Sequence, residues 1–364
     1  MSKHSTSHGP FIYKRVAGVQ YKPSAHSAIC GQFGLVAGLS RAIMRSASGK
    51  PSKGDEDHSL PLFVFFHGGG LVAGSRKQDA WFPHWLKNAA LDAGFAFLSA
   101  DYTLLGPHNG HTLVTDVKDL FTWIAADLNV LIAESTGTSQ LLNINRIVVS
   151  GASAGGYLAY LAGLYATPKP KALAPIYSMC GDILSDFWVK PHTEPFAKLG
   201  GPLQPLFPSI APFLPIIDRS PTAPPITETS VDPTKEVRIH YLSWLLQTGE
   251  FTDLLTGEKG LGAKLEKLEK EERGGALSAE ARVLYPALVA DKSFPPTFLL
   301  HGAEDSLILA DESRNMAAIL KGLGVEHELV IIPGVDHAFD MTPAFDLSMV
   351  KGLIPFLVKH SEST

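Results

Sequence analysis

Six short apolar runs punctuate this chain: LFVFF (62–66), GFAFLSAD (94–101), RIVVSG (146–151), ALAPIYS (172–178), TFLLHG (297–302) and ELVIIP (328–333). None alternates apolar with polar residues. A strand that is apolar on both faces must be covered on both faces, which is the condition of a parallel sheet between helical layers. Helical patterns separate the runs. Leu113, Val117, Leu120, Phe121, Ile124 and Leu128 recur at helical spacing, and ADESRNMAAILKG (310–322) predicts a helix ended by its glycine. Strand and helix in alternation predict an open α/β sheet with right-handed crossovers. FIYKRVAGVQYK (11–22) is expected to add antiparallel edge strands.

The alternation stops between about 185 and 290. Eleven prolines fall in residues 191–233, followed by IHYLSWLL (239–246) and the charge run KLEKLEKEER (264–273), which is expected to be a solvated helix without chemistry. A block this long is not a simple loop. Lying between two sheet strands, it must be an insertion at one end of the sheet, where lids and caps occur. The expected division is an N-terminal segment (1–50), the first part of an α/β core (51–184), an insertion (185–290) and the second part of the core (291–364). Residues 27–46, SAICGQFGLVAGLSRAIMRS, are apolar with arginines at one end. They fit a helix covering the core or pocket, or an interfacial helix.

Composition narrows the function classes. The net charge of −5 carries no basic surplus for nucleic acid or anionic membrane. Two cysteines, Cys30 and Cys180, neither make a disulfide framework nor offer a thiolate zinc site, and they fit a reducing compartment. The N-terminus lacks a signal-peptide core, and no run reaches the roughly 18 apolar residues that span a bilayer. A cytoplasmic protein is expected, with no membrane span, no nucleic-acid partner, no metal and no cofactor. Its partner is a small molecule, and a homodimer is compatible with everything above.

The chemistry begins at VVSGASAGGYLA (148–159), where a strand runs through a Gly-x-Ser-x-Gly turn straight into an apolar helix. Such a turn lies outside the carboxyl edge of the sheet, where open α/β sheets bind ligands. It projects the Ser153 hydroxyl clear of the backbone, with Gly151 and Gly155 removing side chains that would collide and Gly156 easing the helix onto the strand. The helix N-terminus offers the Ala154 N–H to an oxyanion beside Ser153. By itself the turn fits a packing convenience equally well. The second motif, His67-Gly68-Gly69-Gly70 after the first strand, tips the balance. Three consecutive glycines cost conformational entropy and make sense where a backbone turns N–H groups toward a ligand. Gly68 and Gly69 would supply them, with His67 bracing the loop. A serine also needs a base. His337 follows the last strand in IIPGVDHAFD (331–340), and the acid to orient it should follow an earlier strand. HGAEDSL (301–307) offers Asp305, with Glu304, Asp311 and Asp336 as competitors. Asp336 neighbours His337 and reaches its ring poorly; Asp311 falls in the next helix. The order Ser153, Asp305, His337 is nucleophile, acid, base.

Taken together, HGGG (67–70), DYTLLGP (101–107), GASAGG (151–156), HGAEDSL (301–307) and DHAF (336–339) resemble the hormone-sensitive lipase family of serine esterases. The resemblance spans roughly residues 60–180 and 290–345. It implies the α/β-hydrolase fold: a mostly parallel central sheet with helices on both faces, capped by the N-terminal segment and a long insertion. It also implies a triad of Ser153, Asp305 and His337 and an oxyanion hole of Gly68, Gly69 and Ala154. One departure stands out. The family's DYRLAPE segment is DYTLLGP here, without its arginine and its acid, which removes bracing from the loops beside the site.

The activity this implies is cofactor-independent carboxylic ester hydrolysis through an acyl-enzyme. The same triad also serves acyltransferases, thioesterases, amide hydrolases and lyases or cyclases of secondary metabolism. Formamide-cleaving relatives often carry a tryptophan soon after the first glycines, where Leu71 stands here. Relatives that became small-molecule receptors lost the histidine that His337 retains. Phe187, Trp188, Phe196, Phe207, Phe213, Leu214, Tyr241 and Trp244 in the insertion are available either for a small core of its own or for an apolar wall over the serine. Its prolines should stiffen it. Short to medium acyl or aromatic esters in true solution are therefore the expected substrates, without activation at lipid interfaces.

Overall fold

The computed structural model describes residues 34–35, 59–79, 81–136, 141–195, 206–220, 222–230 and 237–362. Among the described residues seven strands form one sheet: β1 (Gly34–Leu35), β2 (Leu60–Phe66), β3 (Ala96–Ala100), β4 (Leu142–Ala152), β5 (Ala172–Ile176), β6 (Thr297–Gly302) and β7 (His327–Ile332). Their spatial order is β1-β3-β2-β4-β5-β6-β7. The six predicted runs are β2 to β7, all parallel, and β1 pairs antiparallel with β3. The 11–22 run lies outside the described residues, as does 27–46 apart from Gly34–Leu35, which are strand and not helix. β7 departs from the expectation of full burial. It is the last strand in the sheet, and Leu329 is 37% exposed.

The apolar runs pack as a two-faced sheet requires. Leu62, Val64 and Phe66 of β2 face one apolar layer, and Phe63 and Phe65 face the other. Side chains that alternate across a strand leave none of these five in water, and each buried one stabilises the fold by roughly 1.5–3 kcal/mol. Six helices frame the sheet: α1 (His84–Asp92), α2 (Gly110–Ala126), α3 (Leu128–Thr136), α4 (Ala154–Tyr165), α5 (Asp311–Leu323) and α6 (Leu353–Ser361). α2, α4 and α5 lie in the first layer; α1 and α6 lie in the second. The helix predicted over 310–322 runs through Gly322 and stops at Gly324, whose φ of 70° closes the end.

Residues 177–296 connect β5 to β6, and the described ones include a series of short helices. Phe213, Tyr241, Leu242, Phe251, Leu255, Leu284 and Tyr285 from this stretch belong to the same continuous apolar layer as β2 and α4, and not to a separate core. The charge run 264–273 is likewise not a solvated helix. It breaks into Leu261–Leu265 and Lys270–Arg273, and Arg273 is buried. Its guanidinium donates to the carbonyls of Leu265, Leu268 and Leu184 and to Asp186. A cation buried this way is satisfied only if each N–H finds an oxygen. Here the chain folds back on itself to supply them.

Candidate active site

Strand register brings the two glycine motifs together. Phe66 of β2 pairs with Gly151 of β4, so residues 67–70 and 152–155 leave the sheet side by side at its carboxyl edge. This is also where the strand order reverses, β2 lying between β3 and β4. Ser153 is the residue before α4, with φ of 55° and ψ of −117°, a conformation that L-residues adopt at a cost of roughly 1–3 kcal/mol. The turn is held by the Ser153 N–H donating to Ile176 O at 2.9 Å and by Ser153 O accepting from Gly156 and Met179. It is tight enough that a Cβ on Gly155 would lie 2.1 Å from Phe66 O. Ala154 opens α4, so its N–H has no partner in the helix's own ladder.

Across from the serine, Gly69 (φ 119°) accepts at its carbonyl from Val72 and Ala73 N–H, at 3.1 and 3.0 Å. A Cβ there would lie 2.0 Å from Ala73 O, so only glycine fits. His67 braces this loop and does not reach Ser153. Its Nδ1 donates to Gly68 O at 2.7 Å, and its ring stacks on Tyr102 at 4.3 Å. Tyr102 in turn donates its hydroxyl to His67 O. Burial drives the His67 imidazole down to about 4, against the opposing pull of the Gly68 carbonyl, so the ring is neutral near pH 7.

Asp305 and His337 come together through a second register. Gly302 of β6 pairs with Ile332 of β7, which sets the loops 303–308 and 333–340 next to each other. His337 Nδ1 lies 2.7 Å from Asp305 Oδ2, and its Nε2 lies 3.1 Å from Ser153 Oγ. The three expected residues form one hydrogen-bonded row. Asp305 Oδ1 accepts from Leu307 and Ile308 N–H at 3.0 and 2.7 Å. Burial alone would raise the Asp305 carboxyl, but the His337 charge and the hydrogen bonds of His301 and His337 win and hold it well below the ordinary carboxylate range. The competing acids go elsewhere. Glu304 is exposed, Asp311 begins α5 and pairs with Arg314, and Asp336 accepts from Ser306 and His337 N–H at 2.8 and 2.7 Å. Asp336 thus ties the loop carrying Asp305 to the loop carrying His337.

Four contributors were not legible beforehand. His301, fully buried on β6, places Nε2 3.2 Å from Asp305 Oδ2 and 2.8 Å from Ile308 O, while Ser313 Oγ meets its Nδ1. Its presence inside HGAEDSL was the available signal. Tyr177, just past β5 with φ of 36°, sets its ring edge on His337. Asp340 accepts from the Tyr177 hydroxyl and from Trp85 Nε1, each at 2.8 Å. Arg238, in the insertion, donates to main-chain carbonyls of both loops that follow β2 and β3. Insertion side chains also cover the glycine loop: Leu242 packs so closely that a Cβ on Gly70 would lie 2.8 Å from its Cδ2. Phe207, Tyr241 and Trp244 gather around Phe213 in edge-on and tilted contacts, with centroids 5.1–5.7 Å from its ring. Trp188 is buried against Phe251, and Leu214 is exposed; Phe196 lies outside the described residues. Among the described residues no cluster of His, Cys, Asp or Glu is arranged to hold a metal, and no helix is long and apolar enough to cross a membrane.

Residues 50–175 match the family model BD-FAE, an esterase family of α/β hydrolases. The chain is 25% identical over 315 residues to a probable carboxylesterase M8 of a Phoma species, covering 85% of this chain and 89% of that one. It is 28% identical over 321 residues to the non-reducing polyketide synthase ausA of Aspergillus calidoustus, covering 80% of this chain but only 12% of the synthase. The chain therefore spans a small fraction of the length of that relative. Among solved structures, an α/β hydrolase superfamily protein from Enterococcus faecalis superposes with a TM-score of 0.50 at 19% identity, over 85% of this chain and 93% of that one. A truncated carbohydrate esterase from gut microbiota gives 0.50 at 14% identity, over 85% and 88%. At those identities the likeness is one of fold. By its sheet order and these likenesses, the chain has the α/β-hydrolase fold and is similar to esterases.

Proposed function

We propose that the protein is a serine hydrolase that cleaves carboxylic esters through an acyl-enzyme. The observation that carries this reading is the row Asp305–His337–Ser153, with its links of 2.7 and 3.1 Å. Ser153 Oγ attacks the ester carbonyl while His337 Nε2 takes its proton. Asp305, held ionised, fixes the imidazole with Nδ1–H toward itself and stabilises the imidazolium that forms. The N–H groups of Gly68, Gly69 and Ala154 receive the oxyanion. His337 then protonates the departing alcohol, and water repeats the sequence on the acyl-enzyme. Residues 185–290, with residues 1–50, act as a cap. Leu242, Tyr241 and Phe213 close the space over the glycine loop, which favours short to medium acyl or aromatic esters in solution. The motif set that resembles hormone-sensitive lipases supports the same reading.

A second reading, thioester cleavage, is favoured by one specific finding: the match to polyketide synthases along most of this chain. Those relatives are named as synthases of polyketides, and a triad of this kind attacks an acyl group carried on sulfur as well as one carried on oxygen. The test is a panel of aryl and alkyl esters from acetate to long acyl chains beside the matching N-acetylcysteamine thioesters, with intact-mass detection of an acyl adduct. Turnover of esters with an adduct on Ser153 supports the first reading, and a strong preference for thioesters the second. Absence of both turnover and adduct would overturn the serine-hydrolase reading.

A further inference from the structure

The segment that resembles DYRLAPE carries no arginine here, yet the loops it should brace are held. Arg76 ties the loop after β2 to Asp101, and Arg238 holds both loops from the other side. It sits in a short 3₁₀ turn, Val237–His240, in the insertion, and it is 4% exposed. Its Nε donates to Val72 O at 2.9 Å, and its Nη2 donates to Leu105 O at 2.7 Å and Gly106 O at 3.1 Å. Val72 belongs to the glycine loop after β2; Leu105 and Gly106 belong to the DYTLLGP loop after β3. Leu105 N–H also donates to Leu71 O at 2.8 Å, so the two loops are laced together around the guanidinium.

We infer that Arg238 is the positioning residue of the oxyanion loop, and that the insertion thereby sets the catalytic power of the site as well as covering it. The inference rests on the ester-hydrolase reading above. The path is short. Arg238 fixes the Val72 carbonyl, and with it the plane of the Val72–Ala73 peptide. The Ala73 N–H of that peptide donates to Gly69 O at 3.0 Å. Holding the Gly69 carbonyl restricts rotation about a residue that has no side chain to restrict it, and so aims the N–H groups of Gly68 and Gly69. Leu71, a non-glycine residue at φ 65°, and Gly70, at φ 64°, lie in the same turn, which would relax without an anchor. A guanidinium suits this task because its planar fork meets several carbonyls in fixed directions; an ammonium is a point charge without that geometry.

The test is Arg238→Lys and Arg238→Gln in the full chain, with kcat and KM on a soluble aryl ester and the inhibition constant of an aryl trifluoromethyl ketone, which forms a tetrahedral oxyanion on the serine. Rates are expressed per site, counted by labelling to completion with a fluorophosphonate and intact mass. We expect kcat to fall roughly 10- to 100-fold, KM to move less than about threefold, and ketone affinity to fall by the same factor as kcat. Ethylguanidinium added to an Arg238→Gly variant should restore part of the rate. If kcat per labelled site and ketone affinity stay at wild-type values while only melting temperature or the yield of labelled sites falls, Arg238 is merely structural and the inference is overturned. An inactive wild-type protein would instead sink the ester-hydrolase reading itself.

Discussion

Tyr177 stands edge-on to the imidazole of His337, 4.8 Å between ring centroids and 62° between planes. Its hydroxyl is anchored on Asp340, which burial pushes above the ordinary carboxylate range and which Trp85 of α1 also supports. The imidazole is thus walled on one side by a ring that cannot itself swing away. Tyr177→Phe keeps the wall and leaves Asp340 with one partner fewer, so stability should drop by roughly 1–3 kcal/mol with turnover falling less than tenfold. Tyr177→Ala removes the wall and should lower turnover further. Urea unfolding beside kcat separates the two; equal kcat in both variants would deny the ring any role.

Ser153→Ala should abolish ester hydrolysis and the fluorophosphonate adduct while leaving the melting temperature near wild type. Loss of a triad member costs on the order of four to six powers of ten in turnover. Retained turnover above about one per cent would refute the nucleophile assignment.

Asp305→Asn should reduce turnover by roughly four orders of magnitude, because an amide cannot hold the Nδ1–H tautomer of His337. Glu304→Gln, on an exposed side chain, should change kcat by less than about twofold. Asp336→Asn should lie between them, since Asp336 ties the two loops but accepts no proton from the ring. The reverse ranking of Asp305 and Glu304 would show that the acid is misassigned.

Asp116 provides a stability test. It is buried in α2, accepts from Thr103 N–H at 2.6 Å, and burial lifts its carboxyl to about 7 against that hydrogen bond. A folded-state value above the unfolded one means that the fold prefers the protonated form. The stabilisation is therefore present below the unfolded value near 3.8 and is lost as pH rises through about 7. Asp116→Asn stays neutral throughout. It should gain on the wild type between pH 5 and 8, by on the order of 2–4 kcal/mol at most. Parallel urea curves at every pH would rule out this titration.

Much of this architecture was legible because local rules and global packing agree in it. Uninterrupted apolar runs have one stable home, the middle of a covered sheet, and all six found it except β7, whose outer position no periodicity could announce. Ser153, Asp305 and His337 were legible because each follows a strand, and a parallel sheet gathers every strand's carboxyl end at one edge. Arg273 and Arg238 were not. Both lie among charged or mixed residues, and their burial depends on carbonyls contributed by segments distant in sequence. His301 and Tyr177 were hidden for a related reason. Each lay inside a run read as strand, where a polar side chain counts as an interruption until its partner across the sheet is known.

The sheet places β5 against β6, although residues 177–296 separate them in the chain. During synthesis the Ser153 turn and the glycine loop leave the ribosome well before Asp305 and His337, which both follow that long connection in the chain. Closing so long a loop is an entropic barrier that grows only slowly with length but must be crossed before any of its contacts form. An incomplete chain therefore carries the serine without the imidazole that would activate it. On this topology and with the proposed triad, hydrolytic competence waits until β6 and β7 dock, and a nascent chain stalled before that point should be inert toward esters.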